Sequence, residues 1–178
     1  MFIIEYKISK RSYNDFIGEM GYYQIKCNDK IYGDIYPDEL EDIMGTEYLY
    51  DWFEKLLKIT IELNEKDYVA LDEIESPTVW LEFEKQQNKI LISVVKSEKQ
   101  SGVGFIVYSL KEKHYDENLL NKEEVIYKEF IWEILVKSNE YLQELKQLNT
   151  KEENIEKTKK IHNLSLKLEE INKIYELQ

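Results

Sequence analysis

The sequence predicts an α+β fold: mainly antiparallel sheet packed against a central helix, with a C-terminal pair of long helices. Three observations lead there. Apolar and polar residues alternate with period 2 over residues 2–8, 21–27 and 78–85. Helical spacing governs residues 47–63 and everything after about Tyr127. The order is therefore strands, helix, strands, two helices, and such segregated runs belong to α+β architecture, not to a parallel α/β sheet.

Each element has its own signal. Phe2, Ile4, Tyr6 and Ile8 alternate with Ile3, Glu5 and Lys7 in a first strand, and Tyr23, Ile25 and Cys27 alternate with Tyr22, Gln24 and Lys26 in a second. Asn28-Asp29 makes a tight turn into a third strand over Lys30–Tyr36, where Gly33 marks a bulge or a close backbone approach. Pro37 followed by Asp38 and Glu39 reads as the start of a short helix, and Gly45 as its end. Thr46 is placed to cap the central helix. In that helix Leu49, Trp52, Phe53, Leu56, Thr60 and Leu63 share one side, and Glu47, Tyr50, Asp51, Glu54 and Lys58 the other. Ser76-Pro77 breaks the chain before a strand over Thr78–Lys85. Gln86-Gln87-Asn88 turns it into the β-branched run Lys89–Lys96.

A further strand is expected over Val103–Leu110, and a polar surface loop over 111–123. Phe130, Ile131, Ile134, Leu135, Tyr141, Leu142, Leu145 and Leu148 then mark a long amphipathic helix. Thr150 and Glu153 form a capping box that opens another, with Ile161, Leu164, Leu168, Ile171 and Tyr175 at alternating three- and four-residue steps. This tail is read as folding back on residues 128–148, with a projecting arm or a dimer contact as alternatives. The chain of 178 residues is long enough for one core. It is read as a single domain, an α+β body over 1–148 with the C-terminal helix of 149–178 packed on it. The core is expected to join Leu49, Phe53 and Leu56 to Val79, Leu81, Phe83, Ile90, Ile92 and Val94 in one cluster.

Charge is unevenly distributed. The formal net charge is −12, and residues 31–84 hold sixteen acids against three lysines, while residues 85–178 hold sixteen of each sign. Residues 31–54 contain eight acids and no Lys or Arg, interleaved with Tyr32, Tyr36, Tyr48, Tyr50, Trp52 and Phe53. A second base-free stretch, 67–84, holds Asp67, Asp72, Glu73, Glu75, Glu82 and Glu84. Like charges this dense repel, so the segment is either a solvated face or a docking surface for a basic partner. The same charge argues against binding bare nucleic acid, whose affinity rests on cations.

The chemistry of a catalyst is not apparent. His114 and His162 are far apart and neither has ligand-like neighbours; with one cysteine, Cys27, no zinc site is expected. Cys27 reads as a small buried apolar residue, and a lone cysteine fits a reducing compartment. Gly102-Val103-Gly104 lacks the third glycine and the helix of a dinucleotide site. Glu82, Glu84 and Lys85 after Asp72 only loosely resemble a nuclease core. No catalytic residue, cofactor or metal is expected, and the chain is read as not an enzyme. The N-terminus lacks the features of a signal peptide, and no apolar run reaches the ~20 residues of a membrane span, so a cytoplasmic protein that does not engage a membrane is expected.

A tyrosine-rich strand with Gly21, the Asn28-Asp29 turn, Gly33-Asp34, the acidic helix region, Asp51-Trp52-Phe53 and the Trp80–Phe83 strand together resemble bacterial immunity proteins, the cytoplasmic antidotes of polymorphic and contact-dependent toxins. The resemblance covers roughly residues 20–96. It implies an inhibitor that binds a cognate toxin domain, often a basic nuclease, and carries over no individual residue. From the base-free run itself, Asp38, Glu41, Asp42, Glu47, Tyr50, Asp51 and Glu54 are the candidate partner-binding residues. Two readings stay open beside it: an acidic nucleic-acid mimic such as a phage anti-defence protein, and an adaptor or scaffold working through its helical tail, by which it would form a homodimer.

Overall fold

The computed structural model describes residues 1–9, 16–40, 46–73, 76, 78–98, 105–150 and 155–176. The fold is α+β, with nine strands and three helices among these residues. Strands β1 (Phe2–Ile8), β2 (Gly21–Cys27) and β3 (Lys30–Asp34) form one sheet in that order. Helix α1 (Leu49–Glu65) follows. Strands β4 (Tyr68–Asp72), β5 (Val79–Gln86), β6 (Lys89–Lys96), β7 (Ile106–Val107) and β8 (His114–Tyr115) form a second sheet, ordered β7-β4-β5-β6-β8. Its pairings are antiparallel, and β9 (Glu123–Ile126) also pairs with β6. Helices α2 (Tyr127–Leu148) and α3 (Ile155–Glu176) close the chain.

The chain gathers into two compact units that do not divide at residue 148. Unit 1 comprises Met1–Ile3, Ile25–Tyr32 and Ile59–Trp132; unit 2 comprises Ile4–Gln24, Gly33–Lys58 and Glu133–Gln178. The nine residues expected to share one cluster fall on both sides of this division: Leu49, Phe53 and Leu56 in unit 2, the strand residues in unit 1. All are buried except the half-buried Val79.

In unit 1 the six-stranded sheet is covered on both faces. Register places Val69, Leu71, Leu81, Phe83, Ile92 and Val94 on one face, where Phe83 lies 5.5 Å from Phe130 and Phe130 lies 4.9 Å from Phe2. The other face carries Ala70, Trp80, Glu82, Ser93 and Val95, also buried. Residues 108–113 link β7 at one edge of the sheet to β8 at the other. Trp80 Nε1 donates to the Ser97 carbonyl at 3.1 Å, Ser97 Oγ donates to the Lys111 carbonyl at 2.6 Å, and the Lys122 amide donates to Ser93 Oγ at 3.0 Å. The Asn28-Asp29 turn forms as expected, with Asn28 at φ 53. Its side-chain amide donates to Glu123 and to the Glu124 carbonyl, tying the turn to β9.

Unit 2 is built on aromatic packing. Tyr23 stacks on Trp52 at 4.0 Å, Phe53 stacks on Tyr141 at 4.5 Å, and Tyr6 meets both Phe53 and Tyr141 edge-on. Tyr141 donates its hydroxyl to the Gly18 carbonyl at 2.7 Å, so the buried phenol is satisfied. The Ile4 amide of β1 donates to Glu133 Oε1 at 2.9 Å, which gives a strand donor a side-chain partner from α2.

Several expectations are corrected. Thr46 does not cap α1, which begins at Leu49, because Glu47 exchanges both backbone hydrogen bonds with Gly21 at 2.8 and 3.0 Å and is held as a β-bridge. A 3-10 turn over Asp38–Leu40 follows Pro37; Gly45 lies outside the described residues. Gly33 is a close approach, as expected: at φ +84, a Cβ there would sit 2.4 Å from the Tyr23 carbonyl oxygen. The strand expected over 103–110 is two residues long among the described ones, Ile106–Val107; Phe105 and residues 108–110 are not strand, and 103 and 104 lie outside the described residues. The stretch expected to be loop contains β8 and the start of β9, and β4 forms where no period marks a strand. The Glu153 half of the capping box lies outside the described residues. No helix among the described residues is long and apolar enough to cross a membrane.

Candidate functional site

Within the base-free run, Glu47, Tyr50, Asp51 and Glu54 are expected on one exposed helix face. Unit 2 covers part of that face with α3. Tyr50 is buried, and its hydroxyl donates to the Lys160 carbonyl at 2.6 Å. Tyr50 therefore leaves the set of exposed partner-binding candidates. Burial holds its phenol above the usual range, with Glu54 and Asp51 adding to the effect. Glu54 pairs with Lys167 at 2.5 Å. Asp51 is half-buried, and its carboxyl lies above the usual range because burial and the Glu54 charge outweigh Lys55. Glu47 is half-buried at the bridge to Gly21. The side chain of Asp38 is outside the described set, as are Glu41 and Asp42 entirely. Asp34, Glu39 and Tyr48 are exposed along the same run.

Residues not singled out beforehand complete the arrangement. The Lys160 ammonium pairs with Glu19 and stands 5.6 Å from the Phe16 ring centroid and 5.4 Å from that of Tyr50. Phe16 and Tyr50 meet edge-on at 6.3 Å. Two rings and a carboxylate thus enclose one lysine, the geometry of a cation–π site closed by a counter-charge. Lys160 and Lys167 lie seven residues apart, two helical turns, and this spacing was visible in the sequence. What the sequence did not supply was which acids they would meet.

A second cluster lies in unit 1. Glu82 is 1% exposed on β5. Tyr68 donates to its Oε2 at 2.7 Å, Tyr115 to its Oε1 at 3.1 Å, and Lys113 pairs with Oε2. Partial burial works against the Lys113 ammonium, but the Glu82 carboxylate holds it above its ordinary range. Burial, then Glu82, raises both phenols. All three donors hold their protons more firmly than usual, and the cluster ties Lys113 and Tyr115 to Glu82 on β5. Cys27 is buried, and burial, reinforced by Glu123, pushes its thiol up to about 12. His114 and His162 are exposed. Among the described residues no group of three His, Cys, Asp or Glu side chains is placed to hold a metal ion.

No family model, curated protein or solved structure matches the chain.

Proposed function

We propose that this protein is an immunity-type inhibitor: a binding protein that neutralises a basic toxin domain through the acidic, aromatic surface that includes Asp34, Glu39 and Tyr48. The observation that carries the reading is that Asp34, Glu39 and Tyr48 are exposed in a run of 24 residues that contains no Lys or Arg. Acids around a tyrosine supply long-range attraction and contact area together. A nucleic-acid mimic would instead need its carboxylates free and spaced like phosphates, whereas Glu19, Glu54 and Glu82 are each engaged by a lysine of the same chain.

The test is to identify the protein that co-purifies from the source cell and to measure its association with the Asp34→Lys/Glu39→Lys chain. Both positions are exposed, so the fold should persist. Association with the wild-type chain should fall steeply with salt, and the double substitution should slow it about tenfold. A partner without net positive charge, or an association rate indifferent to both salt and charge reversal, would refute the reading.

A further inference from the structure

Helix α2 is apolar on two sides, and only one of them is covered. Phe130, Ile134, Tyr141 and Leu145 recur at helical spacing and are buried. On the opposite side Trp132 is 68% exposed, the most exposed large apolar side chain among the described residues, whereas Trp52 and Trp80 are buried. Val136 follows one turn later on the same side and is half-buried. The positions around them, Glu129, Asn139 and Gln143, are polar and exposed. A lone surface aromatic is ordinary; a tryptophan and a valine in one row on a solvated face leave apolar area in water that a contact would remove.

The row continues in both directions. Lys128, Trp132, Val136 and Glu140 step by four residues and so form one ridge of α2: a cation, two apolar side chains and an anion, in that order. Lys128 is exposed, and the Glu140 side chain stays 47% exposed although Lys137 pairs with it at 2.8 Å. Turned end for end, this ridge is complementary to itself. An antiparallel copy sets each Trp132 against the other's Val136 and each Lys128 against the other's Glu140, and Glu129 then faces the neutral Asn139. A parallel copy would oppose lysine to lysine and glutamate to glutamate. We propose that this outer ridge of α2 is a self-association surface, and that its occupant is the same ridge of a second copy, antiparallel about a two-fold axis. The contact is small and a formal charge of −12 on each chain opposes it, so the dimer is weak and reversible.

Sedimentation velocity on the full chain tests this. The wild type should pass from monomer to dimer with a midpoint on the order of 10–100 µM. Acrylamide quenching of tryptophan emission reads Trp132, because the other two tryptophans are buried; it should be strong in the monomer and fall as the dimer forms. Trp132→Ala should weaken the dimer at least about tenfold. Lys128→Glu and Glu140→Lys should each weaken it about three- to tenfold, since the two-fold axis doubles every substitution. Bulk repulsion alone predicts otherwise for Glu140→Lys, which reduces the negative charge. Combined in one chain, the two exchanges restore opposite charges across the axis and should recover most of the wild-type affinity.

A wild-type chain that stays monomeric throughout that range overturns the proposal. So does a dimer that leaves Trp132 open to acrylamide, that survives Trp132→Ala, or that the combined exchange fails to restore. The substituted side chains are exposed, so the monomer fold should persist, with circular dichroism as the check. Should a substituted chain not fold, the wild-type dilution series read by sedimentation and quenching together decides the matter.

Discussion

Removing Lys113 and removing the charge of Glu82 should not cost the same. The Lys113 side chain is 27% exposed and can turn to water when its partner is neutralised; the Glu82 side chain is 2% exposed and cannot. Lys113→Met therefore leaves a buried carboxylate with phenols alone and should cost about 3–5 kcal/mol. Glu82→Gln keeps the shape and much of the hydrogen bonding and should cost about 1–3 kcal/mol. Urea unfolding of both variants checks the order, and equal losses would mean that Lys113 is no more than a surface pair. The sequence shows Glu82 as an acid among Trp80, Leu81 and Phe83, which marks it as unusual but does not name its partners. Tyr50 illustrates the same limit. A helical wheel gives its phase on α1 correctly, but only tertiary structure reveals that α3 buries the side it faces.

At the scale of elements, the long strands and helices were legible because each has one regular period. Strands β1, β2 and β6, and the start of α2 at Tyr127, fall where the pattern puts them. The missed elements lack a period for physical reasons. In β4, Val69, Ala70 and Leu71 are consecutively buried because both faces of the sheet are covered, so no alternation survives. Strands β7 and β8 have two residues each, too few for any pattern. β9 hides its pairing behind Glu123 and Glu124. The late start of α1 depends on Gly21, where an added Cβ would lie 2.3 Å from the Lys7 carbonyl oxygen and 2.8 Å from Leu49 Cδ2. Gly21→Ala should therefore force β1, β2 and the Glu47 bridge apart, at a cost of about 1–3 kcal/mol. Amide exchange should quicken at Gly21 and Glu47 while β5 and β6 stay protected; unchanged exchange at the bridge would show that the neighbours yield without strain.

For the molecule as a whole, alkaline pH is the exposed flank. Burial first, and nearby carboxylates second, hold the phenols of Tyr6 and Tyr68 above their ordinary range, and burial leads the same shift in Tyr50, Tyr115 and Tyr141. An unfolded phenol titrates near about 10. Above that pH the unfolded chain releases protons that the folded chain retains, so stability falls as pH rises; below it both states are protonated and these groups contribute nothing. Tyrosinate absorbance should therefore rise together with loss of far-ultraviolet circular dichroism, in one cooperative step above about pH 10. Gradual ionisation with the fold retained would contradict this. The division of the chain into interleaved units has a consequence for biosynthesis. During translation, unit 1 lacks its last segment until Trp132 has emerged, and unit 2 lacks α3 until later still. A nascent chain therefore carries β1, β2 and α1 before either set of partners is complete, the state in which strand edges and apolar faces recruit chaperones or aggregate. Pausing during elongation, harmless to a protein whose domains are collinear with its message, would here prolong that vulnerable interval.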